Sequence, residues 1–164
     1  MNETVAPVTA FVALGSNLSD PVVQIQSALG ELAKLPGTRV AQISSLYRNP
    51  PAGGLEQPEY VNAVARIETR FGPRELLERL LEIERAHGRT RDYPNAPRTL
   101  DLDIALYGDE VVREPGLTIP HPRMLQRAFV LVPLAEIAPE AQVPGHGRVA
   151  DLAAKIGSRG MVRL

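Results

Sequence analysis

The hydrophobic pattern changes period several times along the chain, and each change marks an element. Residues 8–14 (VTAFVAL) form a short apolar run rich in β-branched side chains, which predicts a buried strand ending in a turn at Gly15-Ser16-Asn17. Ser19 or Asp20 is placed to cap a helix with Pro21 in its first turn. Val22, Ile25, Leu29, Leu32 and Leu35 recur at helical spacing on one face, and Pro36-Gly37 ends it. Residues 38–47 (TRVAQISSLY) are rich in strand formers and predict a strand, with imperfect alternation. Residues 48–58 hold three prolines and two glycines and predict an irregular loop.

From 60 to 69 the alternation is regular: Val61, Ala63, Ala65 and Ile67 point one way, Tyr60, Asn62, Val64 and Arg66 the other. Gly72-Pro73 opens a second helix, with Leu76, Leu77, Leu80, Leu81 and Glu84 on one face and Gly88 at its end. A basic, proline-punctured loop follows at 89–98, then a strand within 99–110 (TLDLDIALYGDE) that closes on Gly108-Asp109. Residues 111–113 and 117–119 predict a hairpin pair. A short helical turn beyond His121, an apolar helix near 127–137 and a last helix at 149–157 complete the chain. The order strand–helix–strand–strand–helix–strand is the split βαβ pattern. It predicts one α+β domain over residues 1–164: a ferredoxin-like antiparallel sheet with helices on both faces, three layers in αβα order.

Composition narrows the function classes. With 44% hydrophobic and 23% charged residues the chain is globular, not disordered. It has no cysteine, which excludes disulfides, iron–sulfur clusters and thiolate zinc sites. The three histidines, at 87, 121 and 146, include no pair at zinc-ligand spacing on one helix. No apolar run reaches the roughly 18–20 residues of a membrane helix. The first ten residues carry Glu3 and no Lys or Arg, so no secretory signal is expected and the cytosol is the expected compartment. A net charge of −1, from 18 basic and 19 acidic residues, argues against a nucleic-acid partner. A monomer is expected. The charges are unevenly placed, however: Arg85, Arg89, Arg91 and Arg98 face a single acid, Asp92, across one short stretch. That stretch suits an anion.

Asp101 and Asp103 are the strongest local feature. In a strand, positions i and i+2 share a face, with Cα atoms about 6.5–7 Å apart. Leu100, Leu102, Ile104 and Leu106 are expected on the opposite face as the anchor. Two adjacent carboxylates repel unless a cation lies between them. Hard oxygen ligands favour Mg²⁺ or Mn²⁺, and Mg²⁺ commonly takes one or two carboxylates plus substrate phosphates. Guanidinium forks at Arg89, Arg91 and Arg98 suit phosphate oxygens; the same arginines could instead simply neutralise the aspartates. Glu84 interrupts a leucine face, so it either pairs with an arginine or reaches a site. His121 sits in a stiff Ile-Pro-His-Pro turn, structural when neutral and phosphate-binding when protonated. The Asn62 amide offers both donor and acceptor to a heterocycle edge. Phe129 is either core or a stacking surface. Neither a Walker loop nor G-x-G-x-x-G is present, so any ATP chemistry uses another cradle. A D-x-D pair is also compatible with a metal-dependent nucleotide-sugar transferase, although such enzymes are usually longer. The bare fold is compatible with a ligand-binding regulatory module that needs no metal.

Several segments together resemble one family. They are residues 11–18 (FVALGSNL), 47–51 (YRNPP), 57–62 (QPEYVN), 88–91 (GRTR), 97–104 (PRTLDLDI) and 119–121 (IPH). They are similar, in order and over roughly residues 8–140, to 6-hydroxymethyl-7,8-dihydropterin pyrophosphokinases of folate biosynthesis. The resemblance implies transfer of a pyrophosphoryl group from MgATP to the pterin hydroxymethyl group, giving the pterin diphosphate and AMP. It implies that Asp101 and Asp103 ligate two Mg²⁺ ions, and that Arg89 and Arg98 contact phosphates and aid transfer. It assigns Glu84, Arg91, Ile104, Thr118, His121 and Arg127 to ATP. It assigns Asn49, Pro50, Tyr60, Asn62 and Phe129 to the pterin, and makes loops 48–58 and 89–98 lids. The chain departs from the family pattern at Asn49, often Thr, at Asn95, often Trp, and at Pro122, often Tyr. These changes bear on affinity and lid contacts and leave the aspartate pair intact.

Overall fold

Strand β1 runs from Val8 to Ser16 and lies inside the main sheet, paired on both edges. The structure, a computed structural model, describes residues 6–17, 20–49, 60–88 and 100–164. Helix α1 (Pro21–Ala33) follows, then β2 (Thr38–Ile43), β3 (Tyr47–Asn49), β4 (Tyr60–Thr69), α2 (Pro73–Ala86) and β5 (Asp101–Tyr107). β4 and β5 flank β1, and both pairings are antiparallel. β2 and β3 share the outer edge of β4, and a C-terminal strand, β10 (Val162–Arg163), pairs with β3. Between β5 and β10 lie the hairpin β6 (Val112–Glu114) and β7 (Leu117–Ile119), a 3-10 turn (Met124–Gln126) and α3 (Ala128–Ile137). The hairpin β8 (Gln142–Val143) and β9 (Gly147–Arg148) and α4 (Val149–Ile156) follow. With β2 and β3 counted as one interrupted strand, the order is that of the expected ferredoxin-like α+β sheet.

Two cores make the three layers. On one face, Ile25, Leu32, Leu76 and Leu80 pack from α1 and α2 against Val12, Leu14, Ala65 and Ile67. On the other, Val130, Leu131 and Leu134 of α3 pack against Phe11 and Val64, with Val149 at the start of α4. The alternation of β4 decides which side each residue serves. Val61, Ala63, Ala65 and Ile67 join the first core, and Val64 joins the second, as the sequence pattern requires.

Several details differ from the sequence reading, each for a physical reason. Gly15 and Ser16 continue β1 rather than turning, because Gly15 pairs with both Asn62 and Asp101. Asp20 holds the N-cap position of α1 in the left-handed region, φ 62°, and its side chain makes no capping bond. Its carbonyl instead accepts the Gln24 N–H at 3.0 Å. Ser19, the other candidate cap, lies outside the described residues. The strand expected at 38–47 is broken between Ile43 and Tyr47. There the Ser44 N–H still donates to the Val64 carbonyl at 2.9 Å, but the Val64 N–H donates to the Ser44 hydroxyl at 2.9 Å, so a side chain replaces one of the two ladder bonds. The buried face of α2 is Leu76, Leu80, Ile83 and Glu84, so Ile83 takes the place expected for Leu81. In β5 the register opposite β1 shifts: Val12 faces Ile104 and Phe11 faces Leu106, which leaves Ala105 as an extra residue. A bulge of this kind reverses the alternation. Leu106 therefore packs on the α3 side, and Tyr107 takes the first core. The short strands β8, β9 and β10 are too brief to carry a readable period.

Candidate active site

One end of the sheet gathers most of the described candidate residues. Cross-strand partners place Tyr47, Asn62, Gly15 and Asp101 in a single row, from β3 through β4 and β1 to β5. Directly opposite residues share a face, so this row looks toward α3. Asn49 lies opposite Tyr60 in the adjoining position on the same face.

The polar middle of the row has an unusual hydrogen-bond account. Asn49 and Asn62 are both buried, and the Oδ1 of each has no hydrogen-bond partner among the described residues. A buried amide oxygen left this way costs about 1–3 kcal/mol, so the pair is suited to donors brought by a ligand. Nδ2 of Asn62 donates weakly to the Leu14 carbonyl at 3.4 Å. Gly15 makes this seat possible. A Cβ at that position would lie 2.7 Å from Asn62 Nδ2. Gly15→Ala is therefore expected to push the amide off its seat. If Asn62 holds the pterin that the resemblance implies, steady-state kinetics should show the KM for that substrate raised about 10-fold and the KM for ATP unchanged. An unchanged pterin KM would separate Asn62 from that substrate.

The carboxylates lie beside this polar group. Asp101 and Asp103 are half-buried on the α3 side of β5, while Leu100, Leu102 and Ile104 are buried in the opposite core. Glu84, only 4% exposed, accepts the Leu102 N–H at 2.7 Å. Its carboxylate is thus a backbone anchor between the two aspartates, a contact that the two sequence alternatives did not include. Among the described residues no group of three or more His, Asp or Glu side chains is gathered to hold a metal. Two carboxylates alone suit an ion whose remaining ligands are water and substrate phosphate oxygens.

His121 is brought to the same place by the chain beyond β7. Its N–H donates to the carbonyl of Ala105, the bulge residue, at 3.0 Å. Its Nδ1 accepts the Arg123 N–H at 3.2 Å, and its Nε2 lies 3.8 Å from Asp103 Oδ1. Burial holds the His121 pKa below its ordinary value. Asp103 pulls the other way, and Arg127 and Arg123 add to the lowering. The Arg127 guanidinium lies over the Phe129 ring at 5.4 Å, at the start of α3. Such a contact ties a cation to a π-face. Thr118 is exposed on β7, and Ile104 is buried in the core, so Ile104 can meet a ligand only through its backbone.

Arg89, Arg91, Arg98 and Pro50 lie outside the described residues, as do most of the two expected lid loops. Sequence reasoning did not single out Gly15 as the seat of Asn62, nor Tyr47 and Glu136. Glu136 did leave a signal: it is the one acid in an otherwise apolar helix, AFVLVPLAEI.

Comparison with known proteins identifies the family. The family model for 7,8-dihydro-6-hydroxymethylpterin-pyrophosphokinase (HPPK) matches residues 11–139. The chain is 45% identical over 157 residues to a 2-amino-4-hydroxy-6-hydroxymethyldihydropteridine pyrophosphokinase of Haemophilus influenzae, covering 96% of this chain and 98% of that protein. It is 46% identical over 154 residues to the protein of the same name from Pseudomonas aeruginosa, covering 94% and 95%. Among solved structures, wild-type Plasmodium falciparum HPPK-DHPS with SDX-DHP superposes with a TM-score of 0.79 at 14% identity. That match covers 99% of this chain and 48% of the Plasmodium chain, and it speaks for the fold. The chain belongs to the 7,8-dihydro-6-hydroxymethylpterin-pyrophosphokinase family.

Proposed function

We propose that this chain transfers the pyrophosphoryl group of ATP to the hydroxymethyl group of 6-hydroxymethyl-7,8-dihydropterin, a step of folate biosynthesis, and that it requires Mg²⁺. The observation that carries the reading is the row across the sheet end. It places two unsatisfied amide oxygens, on Asn49 and Asn62, on the same face as the Asp101–Asp103 pair.

The hydroxymethyl oxygen attacks the β-phosphorus of ATP. The bond from that phosphorus to the oxygen bridging the α- and β-phosphates breaks, AMP leaves, and the hydroxyl proton is released. Asn49 and Asn62 accept hydrogen bonds from the ring's polar edge. Tyr60 and Phe129 bound its faces. His121 and Arg127 hold the phosphate tail, with Arg89, Arg91 and Arg98 assigned to the same anion by family resemblance. The backbone of Ile104 and residue Thr118 shape the adenine side, and Pro50 belongs to the pterin side. Asp101 and Asp103 would hold two Mg²⁺ ions, which when bound neutralise charge along the triphosphate. No strong general base stands out, so orientation and charge neutralisation supply the rate. Glu84 contributes to the nucleotide side by fixing the strand that bears the aspartates.

We read the enzyme as a cytosolic monomer. Among the described residues no helix is long and apolar enough to cross a membrane. Of the exposed large apolar side chains among the described residues, Val23 is on α1, Ile43 on β2 and Val111 just before β6, while Val162 and Leu164 lie together at the C-terminal end.

Equilibrium titration with 6-hydroxymethylpterin tests the assignment. Binding is expected to tighten when Mg²⁺ and a non-hydrolysable ATP analogue are both present, and to lose that gain with EDTA. Pterin binding indifferent to nucleotide and metal would contradict a shared site.

A further inference from the structure

Helix α3 carries the Phe129 ring near its start and Glu136 near its end, and Glu136 is bonded to the segment that carries Asn49. Its Oε1 accepts the Tyr47 hydroxyl at 2.6 Å, and its Oε2 accepts the Ser45 hydroxyl at 2.8 Å. The Ser45 N–H lies 3.0 Å from both oxygens. The C-terminal strand closes the group. Arg163 donates to the Tyr47 hydroxyl at 3.1 Å, lies 3.8 Å from Glu136 and covers the Tyr47 ring at 5.7 Å. Leu164 N–H donates to the Leu46 carbonyl at 2.8 Å.

This is a dense set of bonds for a three-residue strand. β3 has β4 on one edge and β10 on the other. Its Tyr47 lies opposite Asn62, and its Asn49 lies opposite Tyr60. Burial pushes the Glu136 carboxyl up. The hydrogen bonds from Tyr47 and Ser45 and the charge of Arg163 outweigh burial, and the carboxyl stays below its ordinary value. It is therefore an anion at neutral pH, with donors on both oxygens.

We infer that Glu136, Tyr47 and Arg163 form a positioning unit for the pterin half of the cleft, fixing Asn49 on β3 against Phe129 on α3 without touching substrate. The inference rests on the pterin site proposed above and adds residues to it from the C-terminal end of the chain. The nucleotide half is built on β5, β7, His121 and Arg127, the last at the N-cap of α3 and at the far end of that helix from Glu136. None of the bonds above reaches these groups, so the unit is expected to act mainly on the pterin. A purely structural role would instead weaken both substrates together, or neither.

The test uses the full chain carrying Tyr47→Phe, Arg163→Ala, Glu136→Ala or Glu136→Gln. The Kd of 6-hydroxymethylpterin is measured by fluorescence with saturating Mg²⁺ and a non-hydrolysable ATP analogue, and the Kd of the analogue is measured separately. Tyr47→Phe removes one hydroxyl from a buried ring and keeps the packing. It is expected to weaken pterin binding about 5-fold, and Glu136→Ala about 10-fold or more. Glu136→Gln retains an acceptor for Tyr47 and should recover part of the loss. The analogue's Kd should stay within about two-fold throughout. If Glu136→Ala does not fold, Tyr47→Phe and Arg163→Ala decide the matter. Wild-type pterin affinity in those folded variants, or equal weakening of both ligands, overturns the inference. Failure of the unmutated protein to bind pterin is a separate result and would refute the pterin site itself.

Discussion

Asp103→Ala lowers turnover by about 10³-fold and leaves the fold intact. Both halves of this expectation come from the position of the side chain. Asp103 is 43% exposed on its side chain and lies on β5, which ends the order of the main sheet. The strand is held in place by Leu100, Leu102 and Ile104 on the opposite face, none of which the substitution touches. Removing one of two neighbouring carboxylates also relieves their repulsion. Stability should therefore change little. Catalysis depends on neutralising a triphosphate that carries the attacked β-phosphorus in its middle. With one carboxylate left, the proposed metal site would lose half of its protein ligands. Turnover under saturating Mg²⁺ and a urea melt on the same preparation check the two halves. Turnover within 10-fold of the unmutated protein would remove the aspartates from the metal site, as would a loss of activity that merely follows unfolding.

Glu84→Ala is expected to be costly in a different way, lowering unfolding stability by about 3 kcal/mol and turnover as well. Glu84 is buried to 4% exposure in α2, and its carboxylate oxygen meets the Leu102 N–H at 2.7 Å. Truncation leaves that amide without this acceptor and opens a void between α2 and β5. Leu102 stands between Asp101 and Asp103, so a shift of its backbone moves both carboxylates. Glu84→Gln keeps an acceptor of nearly the same size and should restore most of the stability. The urea midpoint and kcat of the two variants decide. A Glu84→Ala protein as stable as the parent would mean that the bond to Leu102 carries no net free energy.

The sequence made the layers legible because the burial periods are clean where the elements are long. The period-2 pattern of 60–69 predicted which side of β4 each residue serves, and the 3.6-residue pattern of 22–35 predicted the buried face of α1. The misreadings arose where one residue changes the count. Ala105 is an extra residue in β5, and it moves Leu106 to the other face. Ser44 replaces a ladder bond with its hydroxyl and breaks what looked like one strand. No propensity rule detects either event, since both depend on the partner strand.

The candidate site was legible in part for the same reason. Asp101 and Asp103 show themselves by spacing alone. The pairing of Asn62 with Gly15 requires knowing that β1 and β4 are neighbours. Glu136 lies 91 residues from Ser45 along the chain, and only the packing of α3 on the sheet brings the two together. The roles of Arg89, Arg91, Arg98 and Pro50 rest on family resemblance, since these residues lie outside the described structure.

The central claim is that the chain moves a pyrophosphoryl group, and the nucleotide product tests this most directly. The protein is mixed with ATP, Mg²⁺ and 6-hydroxymethyl-7,8-dihydropterin, and AMP is separated from ADP. Pterin-dependent AMP, formed in step with the pterin diphosphate and abolished by EDTA, is the predicted result. ADP in place of AMP, or no pterin-dependent product from folded protein, would contradict the account.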